Sequence, residues 1–260
     1  MTLDILVCVK RVPAPGAKMT LLADEQDIET KYLGFTISPH EECGVEEAVQ
    51  LIEKHGGTST VLTLGTADAV EQLRYCMSLG MDKSILLERT GHDWDPMATS
   101  RAIIDAIQAR KDAGENYNLF IFGNESADSG GYQVGTRVAH AFDMPCVTGI
   151  KKIEITEADG QQMAIASRET GAGMEVFEVP LPAVLTVKEG INLPRYPSVP
   201  GRLKAKRKPV DKSTPTAVPG GPVKSKMVVP EEAGSEVQIL GRGPEAAPKV
   251  VDILKELGVL

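Results

Sequence analysis

An open, wound, mostly parallel α/β sheet is the fold class this sequence predicts, with an antiparallel strand region and an extended C-terminal arm added to it. Three observations predict it. Between Leu3 and Phe142, short apolar runs alternate with amphipathic stretches of helical period. From Cys146 to Val187, apolar and polar residues alternate with no helical stretch between them. From 209 to 235, five prolines and three glycines leave little apolar periodicity.

The run Leu3–Val9, LDILVCV, is of the buried parallel-strand type. Two short extended pieces, Met19–Leu22 and Asp27–Thr30, predict a small hairpin. Ser38-Pro39 opens a helix with Val45, Ala48, Val49 and Ile52 on one face, and His55-Gly56-Gly57 ends it. A strand follows over 59–64 and stops at Gly65. Asp68 to Leu79 reads as an amphipathic helix closed by Gly80, and Lys83 to Leu87 as the next strand. Asp95-Pro96 starts a helix over Met97 to Ala109, with proline in its favoured first turn. Leu119–Gly123 is a strand running into a glycine, followed by a polar loop and a helix from Gln133 to Phe142. Successive strands are expected over 150–157, 161–168, 174–179 and 183–187, with Asp159-Gly160 and Gly171–Gly173 as turns. The last helix, Pro244 to Leu257, carries Ala247, Val250, Val251 and Leu254 on one stripe. Tethered by a long arm, it is expected to pack on another subunit. The domains expected are 1–208, an α/β nucleotide-binding unit, and 209–260, the arm with its helix.

A hydrophobic content of 42% with 25% charged residues belongs to a soluble globular chain. No apolar run approaches the ~20 residues that span a bilayer, so no direct membrane insertion is expected. The start, MTLDILVCVKR, has apolar residues from Ile5 to Val9 and no small-residue cleavage site. No signal or transit peptide is read there. The expected compartment is the cytoplasm of a bacterium or archaeon, or the mitochondrial matrix of a eukaryote. Cys8, Cys43, Cys76 and Cys146 form no C-x-x-C pair, and the four histidines have no ligand spacing, so no metal site is predicted. A net charge of −8 argues against a nucleic-acid partner. Glu41, Glu42, Glu46 and Glu47 fall in the first turns of a helix, where carboxylates complement the dipole. No catalytic residue is assigned.

Strand-end loops of an open parallel sheet gather at one edge, where ligands bind. Three stand out, Cys8-Val9-Lys10, Leu64-Gly65-Thr66, and Gly123 through Gly135, the last two glycine-bearing. In the last, Gly123, Gly130 and Gly131 let backbone approach a ligand, and the amides of Gln133, Val134 and Gly135 open a helix N-terminus suited to phosphate. The loop has neither a Walker lysine nor a G-x-G-x-x-G turn, so an unliganded connection fits it as well. Asn192 to Val210 is interrupted by Pro194, Pro197, Pro200 and Gly201 and ends in five basic residues within seven, Arg202, Lys204, Lys206, Arg207 and Lys208. It predicts an extended loop offering charge to an acidic partner surface.

That segment resembles the signature of the electron-transfer flavoprotein beta (small) subunit, N-x-P-R-Y-x-x-x-P-x-x-x-K-A-K-K-K. Asn192, Pro194, Arg195, Tyr196, Pro200, Lys204, Ala205, Lys206 and Lys208 stand in its places, with Arg207 for a lysine. SPHEECGVEEAVQL is similar to the family's N-P-x-x-E-x-x-V-E-E-A-x-x-L, and the likeness runs from CVKRVP through KAKRKPV. The resemblance implies a Rossmann-like, adenine-nucleotide-hydrolase-like fold and a heterodimer with a large (alpha) subunit, which holds most of the redox FAD. It implies electron transfer from acyl-CoA dehydrogenase-type flavoenzymes to a quinone-linked acceptor, as a carrier and not an enzyme by itself. The recognition loop, 190–208, would bind the dehydrogenase, with Val199 at the place of an anchoring leucine.

AMP would bind at Cys8, Gly65, Gly123 and the loop Gly130, Gly131, Tyr132, Gln133, Val134, Gly135. Here Val134 stands for the usual phosphate-binding threonine and Tyr132 for an asparagine. Electron-bifurcating members hold a second FAD in place of AMP, which is the alternative reading. Glu169 matches a glutamate that salt-bridges the flavin domain of the large subunit. Val12 to Gly16 and His40 stand near the flavin edge, where the family places a tyrosine and a phenylalanine. A stand-alone nucleotide-binding sensor, resembling universal stress proteins, is the reading from another class. It explains neither the recognition loop nor the arm.

Overall fold

A computed structural model describes residues 2–16, 18–230 and 237–260. Residues up to Lys226 form one compact unit and residues from Met227 a second. In the first, β1 (Leu3–Cys8) leads through a short antiparallel pair, β2 (Arg11–Pro13) and β3 (Phe35–Ile37), to α1 (Pro39–His55). β4 (Gly57–Gly65), α2 (Val70–Leu79), β5 (Lys83–Glu88), α3 (Pro96–Asp112), β6 (Leu119–Gly123) and α4 (Val134–Ala141) follow. β7 (Cys146–Ala158), β8 (Gln161–Thr170), β9 (Gly173–Pro180), β10 (Ala183–Val187), α5 (Val199–Arg207) and β11 (Asp211–Ser213) complete the unit.

Nine strands form one sheet in the order β11-β5-β4-β1-β6-β10-β7-β8-β9. Every pair from β11 to β7 is parallel, and β7-β8-β9 is antiparallel. Alternate β1 side chains feed two cores. Leu3, Ile5 and Val7 pack with Val45 and Val49 of α1 and Leu73 and Cys76 of α2. Leu6 and Cys8 pack with Ile103 and Ile107 of α3 and Val138 of α4. The result is helix, sheet, helix, with the period-2 alternation of each strand deciding which layer a residue joins.

The helix boundaries follow local chemistry. Asp95 caps α3 by accepting the Met97 amide at 2.7 Å, and Pro96 sits in the first turn. Gly80, at φ 136°, lets the chain leave α2 in a conformation that L side chains rarely adopt.

The structure corrects four expectations. The strand expected over 183–187 does not extend the antiparallel series; β10 crosses back and lies parallel between β6 and β7. The hairpin near 19–30 is reduced to a bridge between Leu21 and Ile28. The segment from Asn192 is not extended throughout, since Val199–Arg207 is helix α5. The arm is not free of sheet structure, because Asp211–Ser213 pairs with Ile85–Leu87 at the sheet edge. Of the arm, residues 231–236 lie outside the described residues. In the second unit, a turn at Pro244–Ala246 leads into α6 (Ala247–Glu256), none of whose residues is buried. No helix among the described residues is long and apolar enough to cross a membrane.

Candidate functional site

β1 lies between β4 and β6, and the chain builds the sheet outward from it in both directions. Such a switch point opens a crevice at the carboxyl ends of the strands. Cys8, Gly65 and Gly123 are the ends of β1, β4 and β6, so the structure brings these three predicted residues together. At Gly123 a side chain has no room: a Cβ there would stand 2.6 Å from Glu41 Cγ. Gly135 permits α4 to lie on the sheet, since its Cβ would stand 3.1 Å from Thr186 Cγ2 and 3.2 Å from the Phe122 ring. Gly130 and Tyr132 take positive φ, 55° and 54°, which turns the loop into α4. The first turn of α4 has no side-chain cap. Gln133 turns its amide oxygen to the Arg137 guanidinium instead, at 3.0 and 3.2 Å. Among the described residues, no side chain caps the first-turn amides of α4, an arrangement suited to an anion.

Sequence reasoning missed the charged groups beside the crevice. Glu41, expected as a dipole-complementing carboxylate, is buried, and the Lys10 amide donates to it. Burial pushes its carboxyl well above the ordinary range, and the Lys10 amide and charge only partly oppose this. Burial likewise pushes the Cys8 thiol up, with Glu41 adding to it. The Lys10 ammonium bridges Asp128 at 2.6 Å and Asp93 at 2.9 Å, and Arg89 also pairs with Asp93. Burial alone would lower the Lys10 pKa, but the two carboxylates outweigh it and hold the ammonium charged. Both tie the loops after β1, β5 and β6 to one another. An open hollow of about 400 Å³ lies between α3 and α4, lined by Met97, Ile104, Thr136 and His140 and by none of the site residues predicted from sequence.

The segment 190–208 stands on α1 and α2. Asn192 donates its amide to the Cys43 carbonyl at 3.0 Å and to Glu47 at 2.9 Å. Arg195, expected to meet a partner, is engaged internally. Its guanidinium grips Glu46 at 2.9 and 3.0 Å and Glu53 at 2.6 and 2.9 Å, which raises its pKa and lowers that of Glu53. Ser198 caps α5, accepting the Gly201 amide at 3.1 Å. At the other end of α5, Arg74 donates to the Ala205 and Lys208 carbonyls. Lys208 turns inward to the Met81 carbonyl at 2.7 Å.

Lys204, Lys206 and Arg207 remain exposed, as does Pro200. Tyr196 is 94% exposed and Val199 73%, and two apolar residues not singled out from sequence join them, Leu193 at 89% and Leu203 at 57%. Glu169 is exposed at the far end of β8, four strands from β1, and belongs to neither group.

The electron transfer flavoprotein domain family matches residues 27–218. The electron transfer flavoprotein subunit beta of Bacillus subtilis is 34% identical over 211 residues, covering 80% of this chain and 78% of its own length. The chain belongs to the electron transfer flavoprotein beta-subunit family. The corresponding subunit of Syntrophomonas wolfei is 36% identical over 81% of this chain and 79% of its own length. A protein of Saccharomyces cerevisiae described as a probable subunit beta is 32% identical over 81% and 79%. The family match takes in the loop 123–135 and the segment 190–208, and ends at 218, before the second unit begins.

Proposed function

We propose that this chain is the small subunit of a heterodimeric electron-transfer flavoprotein. It assembles with a large (alpha) subunit, accepts a dehydrogenase of the acyl-CoA dehydrogenase type, and passes electrons towards a quinone-linked acceptor. One observation carries the docking half of this reading. Four exposed apolar side chains, Leu193, Tyr196, Val199 and Leu203, project from a segment whose backbone is pinned by Asn192, Arg195 and Arg74. An ordered backbone presenting free apolar groups, with Lys204, Lys206 and Arg207 beside them, is arranged as a binding anchor with an electrostatic rim.

The FAD, held chiefly by the large subunit, supplies the redox chemistry. This chain's own residues position and shield, and none need make or break a covalent bond. An adenine nucleotide is the ligand proposed for the crevice: the amides of Gln133, Val134 and Gly135 would hold the phosphate, and the backbone at Cys8, Gly65 and Gly123 the base. AMP is the ligand favoured here and a second FAD the alternative; the Lys10 bridge to Asp93 and Asp128 ties the loops around the crevice to one another. Contact of Glu169 and of α6 with the large subunit completes the reading.

The test is the identity and stoichiometry of nucleotides released on denaturing the complex co-purified with its large subunit. One FAD and one AMP per heterodimer is the expected result. Two FAD and no AMP would assign the crevice to a second flavin, and no flavin would overturn the electron-carrier reading in favour of a stand-alone sensor.

A further inference from the structure

His40 stands between the loop at 123–135 and Glu189, the residue before the segment at 190–208; Asn124 of that loop also donates its amide to the Val187 carbonyl at 2.9 Å. The His40 Nδ1 accepts the Glu189 amide at 2.6 Å, on the residue that leads β10 into the segment. A neutral ring that accepts at Nδ1 carries its proton on Nε2. That nitrogen faces Glu125 Oε1 at 3.6 Å, with the His40 side chain 21% and the Glu125 side chain 27% exposed. Glu125 in turn lies under the turn into α4. A Cβ on Gly130 would stand 3.3 Å from its Oε2. Ser38 fixes the same loop from two residues away. It accepts the Ala127 amide at 3.1 Å and donates to the Glu125 carbonyl at 3.4 Å. Beyond Glu189 come Gly190, at φ 87°, and then Asn192, bound to α1.

His40 therefore has one acceptor and one donor, and each faces a different loop. A displacement of Glu125 removes the carboxylate that Nε2 faces at 3.6 Å. The Glu189 amide then loses an oriented acceptor. Gly190 is the adjacent point at which the backbone turns most easily.

We propose that His40 is a positioning residue coupling the 123–135 loop to the 190–208 segment, so that a ligand at the first biases partner docking at the second. Such coupling is reciprocal: partner docking alters ligand affinity by the same factor. The functional consequence rests on the nucleotide and docking roles proposed above, whereas the mechanical link does not.

Hydrogen exchange on the complex with its large subunit separates the two. Glu125→Ala should speed exchange of the Glu189 amide about fivefold, at the low end of typical couplings between sites. His40→Asn keeps an oxygen for the Glu189 amide but falls short of Glu125, so in that background Glu125→Ala should change nothing at Glu189. The Ile85–Leu87 amides of β5 serve as the control for global loosening. An unaltered Glu189 amide in Glu125→Ala, or a response that persists with His40→Asn, overturns the proposal. Added AMP should change Glu189 exchange in the native chain; AMP bound with no effect there also overturns it. A complex that takes no AMP refutes the nucleotide reading alone, and the Glu125→Ala arm still decides the coupling.

Discussion

Replacing Arg195 with alanine removes a guanidinium that spans two carboxylates of α1, and the structure sets the scale of the loss. The Glu46 side chain is only 3% exposed, whereas Glu53 is 56% exposed and the Arg195 side chain 35%. Breaking a fully buried pair by deleting one partner costs roughly 3–5 kcal/mol, because the remaining charge is stranded. Glu46 is not wholly stranded here. Gln50 still donates to it at 2.7 Å and the backbone amide of residue 195 at 3.2 Å. Solvent also reaches a third of the arginine. These put the Glu46 arm near ~2 kcal/mol, and the exposed Glu53 arm adds at most about 1 kcal/mol.

A total of about 2–3 kcal/mol corresponds to a fall in Tm of about 5–10 °C for a domain of this size. Scanning calorimetry of the purified complex reads it directly. Arg195→Lys keeps the charge but loses the two-sided fork, so it should fall between the native chain and Arg195→Ala. The sharper check is Glu46→Gln added to Arg195→Ala. Neutralising the stranded carboxylate should recover about half of the loss, since an amide is far less costly to bury than an unpaired charge. A fall below 2 °C for Arg195→Ala, or no recovery in the double variant, would refute the clamp.

Three further outcomes are expected. Glu substitutions at Lys204, Lys206 and Arg207 should weaken coupling to the dehydrogenase and flatten its salt dependence while leaving flavin content unchanged; undiminished coupling at low salt refutes the docking role. Gly201→Ala would place a Cβ 2.5 Å from the Ser78 carbonyl oxygen, so α5 should lift from α2 at a cost of about 1–3 kcal/mol, read as a lower Tm. Glu41, whose folded pKa is raised, binds its proton more tightly in the folded than in the unfolded state, so stability falls as pH rises from the unfolded carboxyl pKa towards the folded one. Glu41→Gln should abolish that decline and be the more stable form at pH 7, with the gap closing at acid pH; parallel Tm profiles would show that Glu41 does not titrate there.

The parallel half of the sheet was legible because each strand is a short apolar run and each helix carries a one-sided stripe. The meeting of Cys8, Gly65 and Gly123 at its carboxyl edge was legible for the same reason, since they end adjacent strands. β10 was misplaced because it follows a true antiparallel series without a helix. Its composition held the correction. All five of its residues are buried, as befits a strand covered on both faces, whereas β9 is largely exposed. α5 was hidden by prolines read as breakers, although Pro200 falls in the first turn, where proline is accepted, behind a Ser198 cap. No local pattern signals the partners of Glu41 or Arg195, since both depend on contacts between residues far apart in the chain. Arg195 reads as a surface cation until α1 supplies Glu46 149 positions away.

The placement of those contacts on α1 is the main mechanical feature of the fold. Ser38, His40 and Glu41, at its start, hold the loops of the strand-end crevice. Cys43, Glu46, Glu47 and Glu53 hold Asn192 and Arg195. At 1.5 Å per residue, His40 and Glu53 are separated by about 20 Å along one continuous helix whose apolar face is sealed against the sheet. A helix so packed changes length and direction far less than a loop does. The crevice and the 190–208 segment are therefore fixed to a common reference. For a carrier that works by holding redox groups at set separations, that reference matters more than any single reactive side chain. Substitutions on α1 that spare the core should accordingly disturb docking and the crevice together, whereas substitutions on α3 should reach only the crevice side.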